Sequence, residues 1–135
     1  MLVVISSYMA TELPRPTDAE LEILTVLWSR GPSTVRDVVE VIAKRRPVQY
    51  TTTLKLLQIM AEKRLVRRDE EERAHVYEAS RPREWTQRQL AGDLLERAFG
   101  GSAAEMMVGA LAARKASKKE LAEIRRLLDQ MEEGR

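Results

Sequence analysis

Apolar residues recur at helical spacing from Leu21 onward: Leu21, Leu24, Leu27 and Trp28 share one face, and Gly31-Pro32 ends the run. Ahead of that face, Thr17-Asp18-Ala19-Glu20 has the form of a capping box. In it the Thr17 hydroxyl accepts from the Glu20 amide while the Glu20 carboxylate reaches back to the Thr17 amide. A second helix is predicted to open at Ser33-Thr34, with Val35, Val38, Val39 and Ile42 on its apolar stripe and Pro47 beyond its end. A third is predicted to begin in Tyr50-Thr51-Thr52-Thr53, where a threonine hydroxyl suits the N-cap. Thr53, Leu56, Leu57 and Met60 then face inward, and Lys55, Gln58 and Glu62 outward, with Thr51, Thr52 and Ile59 at the border. After Arg64 the period changes. Leu65 to Asp69 and Ala74 to Glu78 read as two short strands joined by the charged turn Glu70 to Arg73.

Arg81-Pro82 marks a boundary, after which Trp85, Leu90, Leu94, Leu95, Ala98 and Phe99 form another helical stripe, interrupted by Gly100-Gly101. A short apolar helix follows with Ala103, Met106, Met107, Ala110 and Leu111. Ser117-Lys118-Lys119-Glu120 repeats the capping-box form and opens a last helix with Leu121, Ile124, Leu127, Leu128 and Met131 on one side. The expected fold class is therefore mainly α with a small β wing: a winged helix-turn-helix domain over 17–80, then a helical dimerisation region over 81–135. The last helices have too little chain to enclose themselves. Dimerisation is the simplest way to cover their stripes, and packing back onto the winged domain is the alternative. The apolar opening MLVVISSYM lacks a basic start, so residues 1–16 are expected to be a flexible leader, with translation beginning at Met1 or at Met9.

Composition narrows the chemistry more than the fold. Hydrophobic residues at 44% and charged residues at 33% suit a soluble helical protein, and with aromatics at 4% the core must come from aliphatic residues and Met. The chain has no Cys, which excludes disulfides and thiolate metal sites and fits the reducing cytoplasm. His75 is the single histidine, so a tetrahedral zinc site would need carboxylates for nearly every ligand; no metal or cofactor is expected. No stretch is long and apolar enough for membrane insertion as a helix. His75 lies on the charged hairpin, and neither a Gly-rich phosphate loop nor an HExxH pattern occurs, which argues against an enzyme.

Charge is informative through its placement. The formal net charge is +2, yet Lys44 to Arg68 holds eight basic residues against one acid, Glu62. Such a segment in an otherwise acidic chain suits a polyphosphate partner, or else forms a solvated basic face. Because the basic excess coincides with the third helix and the hairpin, double-stranded DNA is the expected partner, with the third helix entering the major groove. Phosphate contacts are expected from Thr34, Arg36, Lys44, Arg45, Arg46, Arg67, Arg68 and Arg73, together with the amides that open the second helix. His75 either approaches the DNA backbone or is an exposed bystander. Base reading is expected from Gln49, Tyr50, Thr51, Thr52 and Lys55, since Thr methyls meet thymine methyls and Lys donates to guanine O6 or N7. Thr51 either reads a base or caps its own helix, and Tyr50 either meets a phosphate or packs. The competing reading is a winged-helix adaptor whose basic segment meets an acidic protein.

The residues also resemble a known family, the BlaI/MecI/CopY group of bacterial repressors, which includes the penicillinase repressors. The resemblance runs from about Thr17 to Glu133 and is carried by three pieces in order: Asp18-Ala19-Glu20-Leu21-Glu22 with Leu27-Trp28, Tyr50-Thr51-Thr52-Thr53 through Leu57, and Arg73-Ala74-His75-Val76-Tyr77. It implies a homodimer with intertwined C-terminal helices, binding an inverted-repeat operator that overlaps a promoter. The stripe residues Leu94, Leu95, Phe99, Met106, Met107, Leu111, Leu121, Ile124, Leu127, Leu128 and Met131 would then form the dimer interface. In some relatives a membrane sensor protease cuts just before a Phe in this region; the matching candidate bond is Ala98-Phe99, where the penicillinase repressors carry Asn before the Phe. The cysteine-based metal response of the copper branch has no counterpart here. Ile59 stands where relatives often carry Arg, which takes one polar side chain from the recognition helix.

Overall fold

The computed structural model describes residues 14–71 and 73–134, so the expected leader and the choice between Met1 and Met9 fall largely outside the described residues. The elements in chain order are α1 (Asp18–Arg30), β1 (Ser33–Thr34), α2 (Val35–Ala43), α3 (Tyr50–Glu62), β2 (Val66–Asp69), β3 (Val76–Ala79), α4 (Arg83–Phe99), α5 (Ala103–Ala113) and α6 (Lys118–Glu133). They divide into two compact units, one up to Leu90 and one from Ala91, with the division inside α4.

In the first unit α1 starts on the predicted capping box: the Thr17 amide donates to Glu20 Oε1 at 2.9 Å and the Glu20 amide to Thr17 Oγ1 at 3.2 Å. Ile23, Leu24, Val26 and Leu27 are buried, and Leu21, at the edge of the stripe, is half-buried. Gly31 ends the helix with φ 95° and ψ −167°, a conformation restricted to glycine, and Pro32 prevents continuation.

Ser33-Thr34 does more than open a helix. It forms β1, which pairs antiparallel with β3 through Ser33↔Tyr77 and Thr34↔Val76, while Thr34 also caps α2. Extended backbone at an N-cap satisfies both demands, so two residues serve strand and cap together. With β2 pairing on the other side of β3, in the register Val66↔Ala79 to Asp69↔Val76, the sheet has three strands in the order β1-β3-β2 rather than the expected two. β3 starts two residues after the predicted strand. Tyr77, at its centre, is fully buried.

The cap of α3 also differs from expectation. Gln49 is the N-cap and makes no side-chain capping bond. Thr53, Leu57 and Met60 must share the buried face, which puts the threonine run inside the first turn; the Thr53 hydroxyl donates to the Gln49 carbonyl at 3.1 Å. At its other end Arg64 adopts φ 65°, and the Leu65 amide donates to the Met60 carbonyl at 2.9 Å. That is the helix-ending turn usually given to glycine. One core joins these elements, centred on Leu24, Leu27, Val38, Ile42, Leu57, Met60 and Tyr77. Trp28 ties α1 to the start of α4: its indole N–H donates to the Arg81 carbonyl at 2.9 Å, and the Arg83 guanidinium lies 6.0 Å from its ring centre.

The second unit continues α4, turns at Gly100 and Gly101 (φ 55° and 82°), and adds α5 and α6. Gly109 admits the Phe99 ring, since a Cβ there would lie 3.2 Å from it. No residue of α5 or α6 is buried. Ser102 and Ser117 cap them, each hydroxyl accepting from the amide three residues on at 3.1 Å.

Candidate nucleic-acid interface

The start of α3 is the centre of this surface. Gln49, Tyr50, Thr51, Thr52 and Lys55 are all exposed, while Thr53, between them, is buried. The local reason is periodicity: Thr53, Leu57 and Met60 point into the core, which turns the other residues of the first turn outward. Thr51 is not the cap, so its hydroxyl is not committed to that role.

Two concavities flank this start. One, of about 440 Å³, is lined by Thr34, Arg36, Tyr50, Leu54, Arg73, Ala74 and His75, and thus gathers expected site residues from α2, α3 and the wing. The other, of about 370 Å³, is lined by Glu22, Arg46, Pro47, Gln49, Thr52 and Leu56, among others. Residues far apart in sequence therefore meet around one exposed helix end. Among the described residues, Lys44, Lys55, Arg64, Arg36 and Arg73 have no carboxylate partner. Lys44 lies at the C-cap of α2.

The remaining cations of the basic segment are differently placed. Arg46 is paired with Glu22 through both carboxylate oxygens, and Arg45 lies 3.9 Å from the same group. Lys63 donates to both oxygens of the buried Glu20, at 3.1 and 2.9 Å. Arg67 meets Glu78 at 3.2 Å across the hairpin, and Arg68 pairs with Glu70. Acids from α1, β3 and the wing turn thus fold back onto a segment that contains a single acid of its own. The sequence reading missed these counter-charges. Glu22 has no local signal, being 24 residues from Arg46, whereas Glu78 stands opposite Arg67 in the strand register.

The opening of α2 carries another. Thr34 and Asp37 form a capping box, with the Thr34 amide donating to Asp37 Oδ2 at 3.0 Å and the Asp37 amide to Thr34 Oγ1 at 3.1 Å. Two of the amides expected to meet a phosphate are thereby used, although the T-x-x-D spacing was legible. The Thr34 amide holds the Asp37 carboxyl below its ordinary range, against partial burial and with help from Arg30 at 3.1 Å. Burial pushes the Glu20 carboxyl up, but the Thr17 amide and the Lys63 ammonium outweigh it and leave it below the usual range. The Arg46 hydrogen bond likewise holds the Glu22 carboxyl low.

The expected interface side chains of the second unit are largely uncovered: Leu94, Met107, Leu111, Leu127, Leu128 and Met131 are exposed, and Leu95, Phe99, Met106, Leu121 and Ile124 are half-buried. Val108, which the sequence reading passed over, is 69% exposed. Ala98 is exposed in the last turn of α4. No helix among the described residues is long and apolar enough to cross a membrane.

A family model described as penicillinase repressor matches residues 16–130. Transcriptional regulator BlaI of Mycobacterium tuberculosis, from strains CDC 1551 / Oshkosh and ATCC 25618 / H37Rv, is 43% identical over 67 residues, 49% of this chain and 49% of the relative. The match thus spans about half the length of these curated relatives. Among solved structures, the monomeric form of Bacillus licheniformis BlaI in complex with the blaP half-operator aligns over 54% of this chain and 89% of that one, with 23% identity and a TM-score of 0.47. A MarR family protein from Bacillus stearothermophilus aligns over 98% and 91%, with 18% identity and a TM-score of 0.49. With the family model covering most of its length, this chain belongs to the penicillinase repressor family, a family of transcriptional repressors and not of enzymes.

Proposed function

We propose that the chain is a sequence-specific DNA-binding repressor that acts in the cytoplasm as a homodimer on an inverted-repeat operator. The observation that carries this is the exposed first turn of α3, flanked by a cleft that gathers Thr34, Arg36, Tyr50, Arg73 and His75. A helix end so exposed fits the major groove, with Gln49, Thr51, Thr52 and Lys55 reading base edges and the flanking cations holding phosphates. Residues 17–80 are the reader. Residues 81–135 join two readers through the uncovered stripes of α4, α5 and α6, so two weak half-site contacts act as one. Proteolytic inactivation by a membrane sensor protease would act in this second region. The Ala98-Phe99 bond lies in a helical turn, so cutting there requires that turn to open first.

A mobility-shift series on the DNA upstream of the protein's own gene tests the reading. Sequence-selective shifts that weaken steeply with salt are expected. Lys55→Ala should weaken operator binding and relax preference at one base position by about 1–3 kcal/mol. No shift at low salt would favour an adaptor that meets an acidic protein instead.

A further inference from the structure

The connection from α2 to α3 brings Arg45 and Arg46 to the start of the proposed recognition helix, and an acid from α1 meets them there. Arg46 Nε donates to Glu22 Oε2 at 3.3 Å and one terminal nitrogen to Glu22 Oε1 at 2.5 Å; the other terminal nitrogen donates to the neighbouring Pro47 carbonyl at 3.1 Å, and Arg45 lies 3.9 Å from the Glu22 carboxylate. This two-pronged geometry is also the one by which a guanidinium grips a phosphate. The Arg46 side chain is 50% exposed and that of Glu22 only 23%, so the guanidinium is the partner able to turn outward. Both line the concavity that contains Gln49 and Thr52, so any exchange happens beside the proposed base readers.

We propose that Glu22 is an internal counter-charge that holds Arg46 in reserve, and that Arg46 reaches a DNA phosphate only by leaving Glu22. This rests on the DNA-binding reading above. The carboxylate is attached to the fold and always present, so a phosphate must come close and stay close to displace it. Glu22 is therefore a positioning residue. It sets how many phosphates the chain engages without being a phosphate ligand itself.

The test is a double-mutant cycle on the full chain: wild type, Glu22→Gln, Arg46→Gln and the double variant, each bound to a labelled duplex of random sequence from about 50 to 200 mM salt, with thermal melts alongside. Glu22→Gln is expected to bind several-fold tighter and to steepen the log–log salt dependence by about one ion. In the Arg46→Gln background that gain should largely vanish. An equal gain with or without Arg46 would mean a mere change of net charge and would overturn the proposal, as would unchanged or weaker binding by a folded Glu22→Gln. Should that variant not fold, Glu22→Asp keeps the charge but shortens the reach by one methylene. Tighter binding is then expected at unaltered net charge, and binding equal to or weaker than wild type overturns the proposal. Wild-type protein that binds no duplex at low salt overturns the DNA reading itself. Wild-type binding without Glu22–Arg46 coupling overturns this inference alone.

Discussion

The unit up to Leu90 and the unit from Ala91 are both rich in Leu, Ile, Val and Met, yet they dispose of these residues in opposite ways. The first folds five helix and strand contributions around one core in which Val38, Leu57, Met60 and Tyr77 are wholly withdrawn from solvent. In the second, no residue of α5 or α6 is buried, and Leu127, Leu128 and Met131 remain more than half exposed. Periodic apolar residues make a helix in both units, but they make a core only where other elements supply the opposite wall. Stripes left uncovered in this way are the mark of a surface built for association. On the reading proposed above, the first half is stabilised from within and the second is completed by a second copy.

The sharpest way to break the comparison is through its two kinds of leucine. Leu57→Ala removes a fully buried side chain and should cost about 2–5 kcal/mol in a denaturant melt. The same change at Leu128 should cost far less in a chain held monomeric by dilution; equal losses would abolish the distinction. Next in size is the assembly itself. Changing Ile124 and Leu128 together to Asp should yield monomers by light scattering while the circular dichroism of the winged unit survives. A dimer of unchanged mass would assign the association elsewhere.

A smaller effect probes what the first unit adds to its apolar core. Glu20 is buried, fixed by the Thr17 amide and Lys63, and its carboxyl is held below its ordinary value of 4.5. A lowered folded-state pKa means that its stabilisation is fully present above the unfolded value and is lost as pH falls through the folded one. Glu20→Gln should therefore lower stability by about 1–2 kcal/mol near neutral pH, and the gap to wild type should shrink below pH 4.5. A gap independent of pH would show that shape, not charge, matters at this position. The smallest effect expected is a gain. Arg64 holds φ 65° at the end of α3, a conformation that disfavours any side chain, so Arg64→Gly should raise stability by up to about 1 kcal/mol.

Much of this molecule was legible along the chain. The Thr17–Glu20 box, the Gly31-Pro32 stop and the inward stripe through Leu57 and Met60 are local signals, each set by atoms within a turn or two of one another. Among the base-reading candidates Lys55 was legible for the same reason, since it must face out once Thr53 and Leu57 face the core; Thr51 and Thr52, which spacing put at the border, are exposed in the structure. What escaped was long-range or did double service. Ser33-Thr34 looks like a helix start because it is one, and nothing nearby reveals that its extended backbone also pairs with Tyr77 and Val76. The basic segment looked like an open cationic face because its neutralising acids lie elsewhere: Glu20 and Glu22 in α1, and Glu78 across the hairpin.

Sequence alone determined, to within a residue or two, where helices start and stop and which faces are apolar, because those depend on periodicity and on groups that are neighbours in the chain. Tertiary structure decided which cations remain without a carboxylate. Coulomb attraction depends on separation in space, and Glu22 comes within a hydrogen bond of Arg46 only when α1 packs beside the connection to α3.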